Sequence, residues 1–275
     1  AYQSMLDFER DFPEIAKMYF DLRYDEENQY KRGLGFGRKF PHKPDCQTCE
    51  VGQRTWINAI NEVVDDEIVL KNYYAKDLDL QCLTYKVLLY TNTYTIVKLI
   101  AETENLERIE PSNIPQFSSI EHATNGVLKV LLESGKDGVT FAEMGYYLDG
   151  KKRNDIANRK YGENQSKLAT LLDLAVINFP NNSALIYPSL LGQTYYNLSN
   201  EDKERLLARL TLRIPIIQKI MIDSISRKTS VDQYLKCLAP KTHVRRKPNV
   251  IALINLIKKH STQQMDVIFN NILEK

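Results

Sequence analysis

The chain has 275 residues, with 37 Lys and Arg against 35 Asp and Glu, a formal net charge of +2, and 43% hydrophobic and 26% charged residues. These are ordinary values for a soluble globular protein with room for about two or three small domains. No apolar run approaches ~20 residues, so no membrane span is expected, and without a global basic excess a nucleic-acid site has to come from local clustering. Four cysteines make no disulfide framework, so a reducing, cytoplasmic setting is expected. The N-terminus Ala1-Tyr2-Gln3-Ser4 has no signal-peptide pattern and lacks an initiator Met, as a fragment or trimmed chain would. Sixteen tyrosines against one Trp are assigned mostly to core edges and interfaces.

Residues 1 to about 30 are acidic, with Asp7, Glu9, Asp11, Glu14, Asp21, Asp25, Glu26 and Glu27. Phe12, Ile15, Ala16, Tyr19 and Phe20 fall at helical spacing, and Pro13 suits a first turn, which predicts an amphipathic helix with a solvated acidic face. Lys31 to Lys43 (KRGLGFGRKFPHK) is a basic, glycine-rich loop with the chemistry to track a phosphate backbone. Its Gly33-x-Gly35-x-Gly37 spacing is not a dinucleotide fingerprint. His42-x3-Cys46-x2-Cys49 could hold one side of a zinc tetrahedron, with Cys82 as a fourth ligand; the alternative is free thiols in a turn opened by Pro44-Asp45.

Residues 53 to 70 predict a helix with Trp56, Ile60, Val63 and Val64 inward, whereas from Leu78 to Ile100 helix and strand patterns compete. Asp65, Asp66, Glu67, Asp77 and Asp79 with Lys71, Lys76 and Lys86 could imitate a Mg-dependent nuclease centre, but Asp65 to Glu67 close a helix and no strand-borne Glu-x-Lys accompanies them. A solvated charge run is the simpler reading. Pro111 to Gln116 reads as a domain boundary.

The stretch from Ser118 to Leu198 carries the richest pattern. Ile120 to Glu133 has Ala123, Val127, Val130 and Leu131 at helical spacing, and two glycines in Ser134 to Gly138 stop it. Thr140 and Glu143 form a capping box for a second helix, Phe141 to Leu148. A polar, basic connector, Asp149 to Gly162, leads to a third helix from about Glu163 to Leu174, with Leu168, Leu171, Leu172 and Leu174 inward. Val176 to Phe179 and Ala184 to Tyr187 then flank Pro180 to Ser183 as a hairpin. Helix, helix, helix, hairpin is the winged-helix plan. Lys151, Lys152, Arg153, Arg159, Lys160 and Lys167 cluster between the second and third helices, and Tyr161, Asn164, Gln165 and Lys167 fall near the start of the third, where a recognition helix presents side chains to base edges.

After the hairpin, Gly192 to Ser199 leaves the first unit. Ser199 caps a helix over Glu201 to Arg213, Pro215 opens one over Ile216 to Ser226, Ser230 starts Val231 to Leu238, and Thr242 starts a last one to about Lys259, where Pro248 falls in the first turns or delays the start. This predicts a second helix-turn-helix unit without a full wing. Between Asp232 and Asp266 there is no acid, whereas Lys236, Lys241, Arg245, Arg246, Lys247, Lys258 and Lys259 all lie there. His243, Arg245, Arg246, Lys247 and Asn249 are the candidate phosphate and base contacts, near a helix start whose dipole draws phosphate.

The expected fold is mainly α with small β-hairpin wings: an N-terminal α or α+β accessory domain (1–115), a winged helix (116–198) and a second helix-turn-helix domain (199–275). KYGENQSKLATLLDLAVI, then LGQTYYNLS, Pro215 and THVRRKPNVIALINLI, together resemble the tandem winged-helix recognition regions of type II restriction endonucleases, especially type IIS and nicking enzymes. The likeness covers residues 118–260. It implies sequence-specific binding of double-stranded DNA, with base contacts on Asn164, Gln165, Lys167, Arg245 and Arg246. A recognition subunit of a restriction or defence system is the leading expectation. The rivals are a restriction endonuclease with a Mg-dependent centre in the N-terminal region, and a transcription regulator whose N-terminal domain senses a ligand or forms a homodimer.

Overall fold

The computed structural model describes residues 85, 88–102, 108–149, 154–180 and 183–273. Packing divides the chain into units of 1–87 and 88–275, and the second is the one described below. The expected helices over 1–30 and 53–70, the basic loop 31–43, the zinc set His42, Cys46, Cys49 and Cys82, the carboxylates Asp65 to Asp79 with their lysines, and the basic residues Lys151, Lys152 and Arg153 lie outside the described residues.

The unit is mostly helical with two small sheets. The competing patterns before Ile100 settle as helix: Leu88 to Tyr90 is helical, and α1 follows over Thr93–Ala101, its N-cap Asn92 accepting from the Tyr94 amide. A π-helical turn, His122–Gly126, runs into α2, Val127–Glu133, burying Ala123, Val127, Leu128 and Leu131. Gly135 and Gly138 then turn the chain at φ 64° and 86°, a region in which side chains are strained. Strand β1, Val139–Thr140, leads directly into α3, Phe141–Asp149. The capping box forms as expected: the Thr140 amide donates to Glu143 Oε2 at 2.9 Å and the Glu143 amide to Thr140 Oγ1 at 3.3 Å.

The next helix departs from the expectation. α4 spans Asp155–Leu171, beginning at Asn154, whose side chain accepts from the Ala157 amide at 2.8 Å, rather than near Glu163. Gly162 looks like a helix breaker in the sequence because glycine costs helix about 1 kcal/mol. Here it is where α3 and α4 cross. A Cβ on Gly162 would sit 2.0 Å from the Phe141 carbonyl oxygen, and one on Gly145 would sit 1.9 Å from that of Asn158. The two helices make the most extensive helix–helix contact in the unit, and only glycines let their backbones approach so closely.

After α4, Asp173 adopts φ 58° and pairs with buried Arg213. β2, Ala175–Asn178, and β3, Leu185–Pro188, form the expected hairpin, in antiparallel register with Ile177 opposite Ile186. β1 joins the other edge of β3, giving the order β1-β3-β2. The segment expected to leave this region is a helix instead: α5, Leu190–Tyr196, capped by Ser189 and packed on α2, with Gly192 against the Leu174 carbonyl.

Ser199 caps α6, Asn200–Thr211, and Pro215 opens α7, Pro215–Asp223, as expected. Every residue from Leu206 to Gln218 is buried, so the end of α6, the start of α7 and the link between them lie in the core of the unit. α1 packs on α7 and α6 on α9; residues 88–101 therefore belong with the C-terminal helices and not with an N-terminal domain ending at 115. β4, Thr229–Ser230, leads into α8, Val231–Tyr234, and then α9, Pro240–Lys259. Pro248 lies inside α9, where its missing N–H removes one helical bond without ending the helix. A short α10, Asp266–Asn271, precedes β5, Ile272–Leu273, which pairs parallel to β4.

Two measurements check this account. Gly162→Ala, which would stabilise an isolated helix, is expected to lose about 1–3 kcal/mol in urea unfolding because the added methyl meets a backbone oxygen. Glu143 is held at about 2 by its hydrogen bond from Lys136 and by those from Thr140. Its folded pKa lies below its unfolded one, so its contribution is full above about pH 4.5 and disappears as pH falls through about 2. The stability gap between wild type and Glu143→Gln is expected to close over that window in pH-dependent melting.

Candidate nucleic-acid interface

At about 3.6 residues per turn, Ile156, Lys160, Glu163 and Lys167 form one outward stripe on α4. Ile156 is 82% exposed, and Arg159 flanks the stripe, exposed and with no hydrogen-bond or ion-pair partner among the described residues. Glu163 lies mid-stripe and accepts from Lys160 Nζ at 3.0 Å and from Lys167 Nζ at 2.6 Å. Partial burial opposes its charge, but the two lysines outweigh that and hold its carboxyl below the ordinary range. Asn164 sits half-buried on the shoulder of the stripe.

Gln165 does not join them. It lies on the opposite side of α4, only 1% exposed, and donates its Nε2 to Ser118 Oγ at 3.1 Å. Its assignment as a base contact is corrected: because α4 starts at Asp155, residues 163–167 lie in mid-helix, and the position that looks terminal in the sequence faces the core. Tyr161 is likewise turned inward, its hydroxyl 2.6 Å from His122 Nδ1 and 2.9 Å from Ser118 Oγ.

α9 shows the same division. Its outward face carries Lys241, Val244, Arg245, Pro248 and Asn255, all exposed. Arg245 has no hydrogen-bond or ion-pair partner among the described residues. Arg246, next to it, points to the other side and donates its Nη1 to the carbonyls of Pro111 and of Ile114, the latter at 2.8 Å. Burial, with Arg245 alongside, lowers its pKa from the usual value. Asn249, one turn on, donates to the Phe117 carbonyl at 3.1 Å. His243 and Lys247 both reach Asp232 at 2.7 Å, and those bonds, Lys247 foremost, hold the Asp232 carboxyl below its usual range. The acid that bounds the acid-free window thus pairs with one of its cations, Lys247, and holds His243 beside it.

The interior-facing members of both sets converge on residues 111–118. Arg246 and Asn249 hold this strap from α9, and Gln165 and Tyr161 hold its last residue, Ser118, from α4. A stretch that reads as a domain boundary is therefore the piece through which α4 and α9 are fixed to each other. Glu163 is the stripe residue that the sequence reading passed over, although its spacing of three and four from Lys160 and Lys167 is a helix-pair signal.

Among the described residues no group of three or more His, Cys, Asp or Glu is gathered in a way that could hold a metal ion, and no helix is long and apolar enough to cross a membrane. Cys237 is an exposed free thiol. No protein family, curated protein or solved structure matches the chain.

The two adjacent arginines of α9 are expected to behave oppositely. Arg246→Ala removes two charge-assisted bonds to carbonyls and should cost about 1.5–3 kcal/mol in urea unfolding, while Arg245→Ala should stay within about 0.5 kcal/mol of wild type.

Proposed function

We propose that this chain binds double-stranded DNA sequence-specifically through two winged-helix-like units, with α4 and α9 as the groove-facing helices, as the recognition part of a restriction or defence system. The observation that carries the reading is topological. Strand β1 feeds α3, α4 follows, and a hairpin returns to give the sheet order β1-β3-β2, which is the element order of a winged helix. The second half repeats the opening of the pattern: a two-residue strand, β4, feeds a short helix, α8, before the long α9. There no hairpin follows among the described residues and β5 pairs parallel to β4, in keeping with a unit that has no full wing.

Two further features support it. Each long helix keeps an exposed arginine, Arg159 or Arg245, free of hydrogen-bond and ion-pair partners among the described residues. The likeness of residues 118–260 to restriction-enzyme recognition regions supplies the biological setting. The hairpin carries no Lys or Arg between Ala175 and Pro188, so phosphate attraction would fall to the helices. With the interior residues Gln165, Tyr161, Arg246 and Asn249 set aside, the proposed contacts are Arg159, Lys160, Asn164 and Lys167 on α4 and Lys241 and Arg245 on α9.

Binding of a random-sequence duplex by the full chain at several salt concentrations tests the reading. Arg159→Ala and Arg245→Ala should each weaken binding and make the slope of log K against log salt shallower by about 1, the loss of one phosphate contact. A double variant that melts normally and keeps the parent's affinity and slope would remove both helices from the interface.

A further inference from the structure

We propose that Glu163 determines specificity by accepting a hydrogen bond from the N4 amino group of a cytosine, so that the duplex read by α4 contains a C·G pair facing the middle of the helix. The inference rests on the reading of α4 as a groove-facing helix and adds which base it selects. An acid in the middle of a DNA-facing stripe would ordinarily be repelled by phosphate. Here it is flanked, one turn to either side, by Lys160 and Lys167, so the three charges sum to +1. The lysines also aim the carboxylate. Each donates to a different oxygen, and each oxygen keeps a second lone pair for another donor. In the major groove the amino group of cytosine offers a donor that a carboxylate can accept, whereas guanine and thymine present acceptors that would repel it. Adenine also carries an amino donor, but its adjacent N7 is an acceptor and suits an amide better than a carboxylate. Both lysines are more than half exposed, and each ammonium has three donors, so on docking each can reach a phosphate while keeping its bond to the Glu163 carboxylate.

The test is selection of bound sites from a random-sequence duplex library by the full chain and by Glu163→Gln. The wild type is expected to enrich a site containing a fixed cytosine, and the variant to lose that preference or exchange it for adenine, which an amide can pair bidentately. In the wild type, replacing that cytosine should weaken binding roughly 5- to 150-fold. A probe with N4-methylcytosine at the position keeps the Watson–Crick hydrogen but replaces the groove-facing one, and should weaken wild-type binding to a similar extent. This arm needs no variant, so it decides the matter even if Glu163→Gln folds poorly. If the wild type enriches no site and binds no duplex, the DNA-binding reading itself fails. If it enriches a site with no fixed cytosine, or if the methylated probe and Glu163→Gln leave selection unchanged, DNA binding stands and Glu163 is only an intrahelical ion pair.

Discussion

The crossing of α3 and α4 is the constraint on which the first half of the unit depends. Gly145 and Gly162 bring two helix backbones to a separation at which any Cβ would strike a carbonyl oxygen. That approach fixes which side of α4 is interior. With Gly162, Gln165, Ser166 and Ala169 facing inward, the stripe of Ile156, Lys160, Glu163 and Lys167 has to face out. The charge pattern of the outer face follows from a packing requirement on the inner one. The same device recurs at Gly192, which lets α5 lie against the Leu174 carbonyl in the turn after α4.

Polar side chains on the inner faces do a second job. Arg246, Asn249, Tyr161 and Gln165 are residues that can read bases when they face a groove; turned inward, they satisfy the carbonyls and hydroxyl of the strap 111–118. Buried backbone carbonyls need donors, and an irregular segment between two helices cannot find them within itself. Arginine and asparagine, with several N–H groups each, suit that task. A strap held at one end by α9 and at the other by α4 makes the relative placement of those helices part of one hydrogen-bonded structure. The pair of Asp173 with buried Arg213 adds a second tie, between the turn after α4 and the link from α6 to α7.

Charge on the outer faces is smaller than a count of cations suggests. Lys160 and Lys167 share Glu163, His243 and Lys247 share Asp232, and Lys259 is paired to Glu204. Among the described residues Arg159 and Arg245 remain as the exposed arginines without such partners on the two long helices. A duplex reader built this way would draw modest affinity from phosphates and depend more on what individual side chains meet in the groove.

Local chemistry made much of the architecture legible in the sequence. The capping box Thr140–Glu143, the N-cap Ser199, Pro215 at a helix start, the glycine stop after Glu133 and the hairpin around Pro180 all act within a few residues, and all fall where their chemistry requires. So do the buried positions Val127, Leu131, Leu168, Leu172, Leu206 and Leu253, because helical periodicity is itself local. The start of α4, the helical state of 190–196 and the role of 111–118 were decided by tertiary contacts. In each case the deciding partner is distant in sequence: Phe141 for Gly162, Leu174 for Gly192, Arg246 for Pro111 and Ile114. Arg245 and Arg246 show the limit most plainly. Two identical side chains on adjacent residues point roughly 100° apart around a helix, and only the packing of α9 determines which meets solvent and which holds the strap.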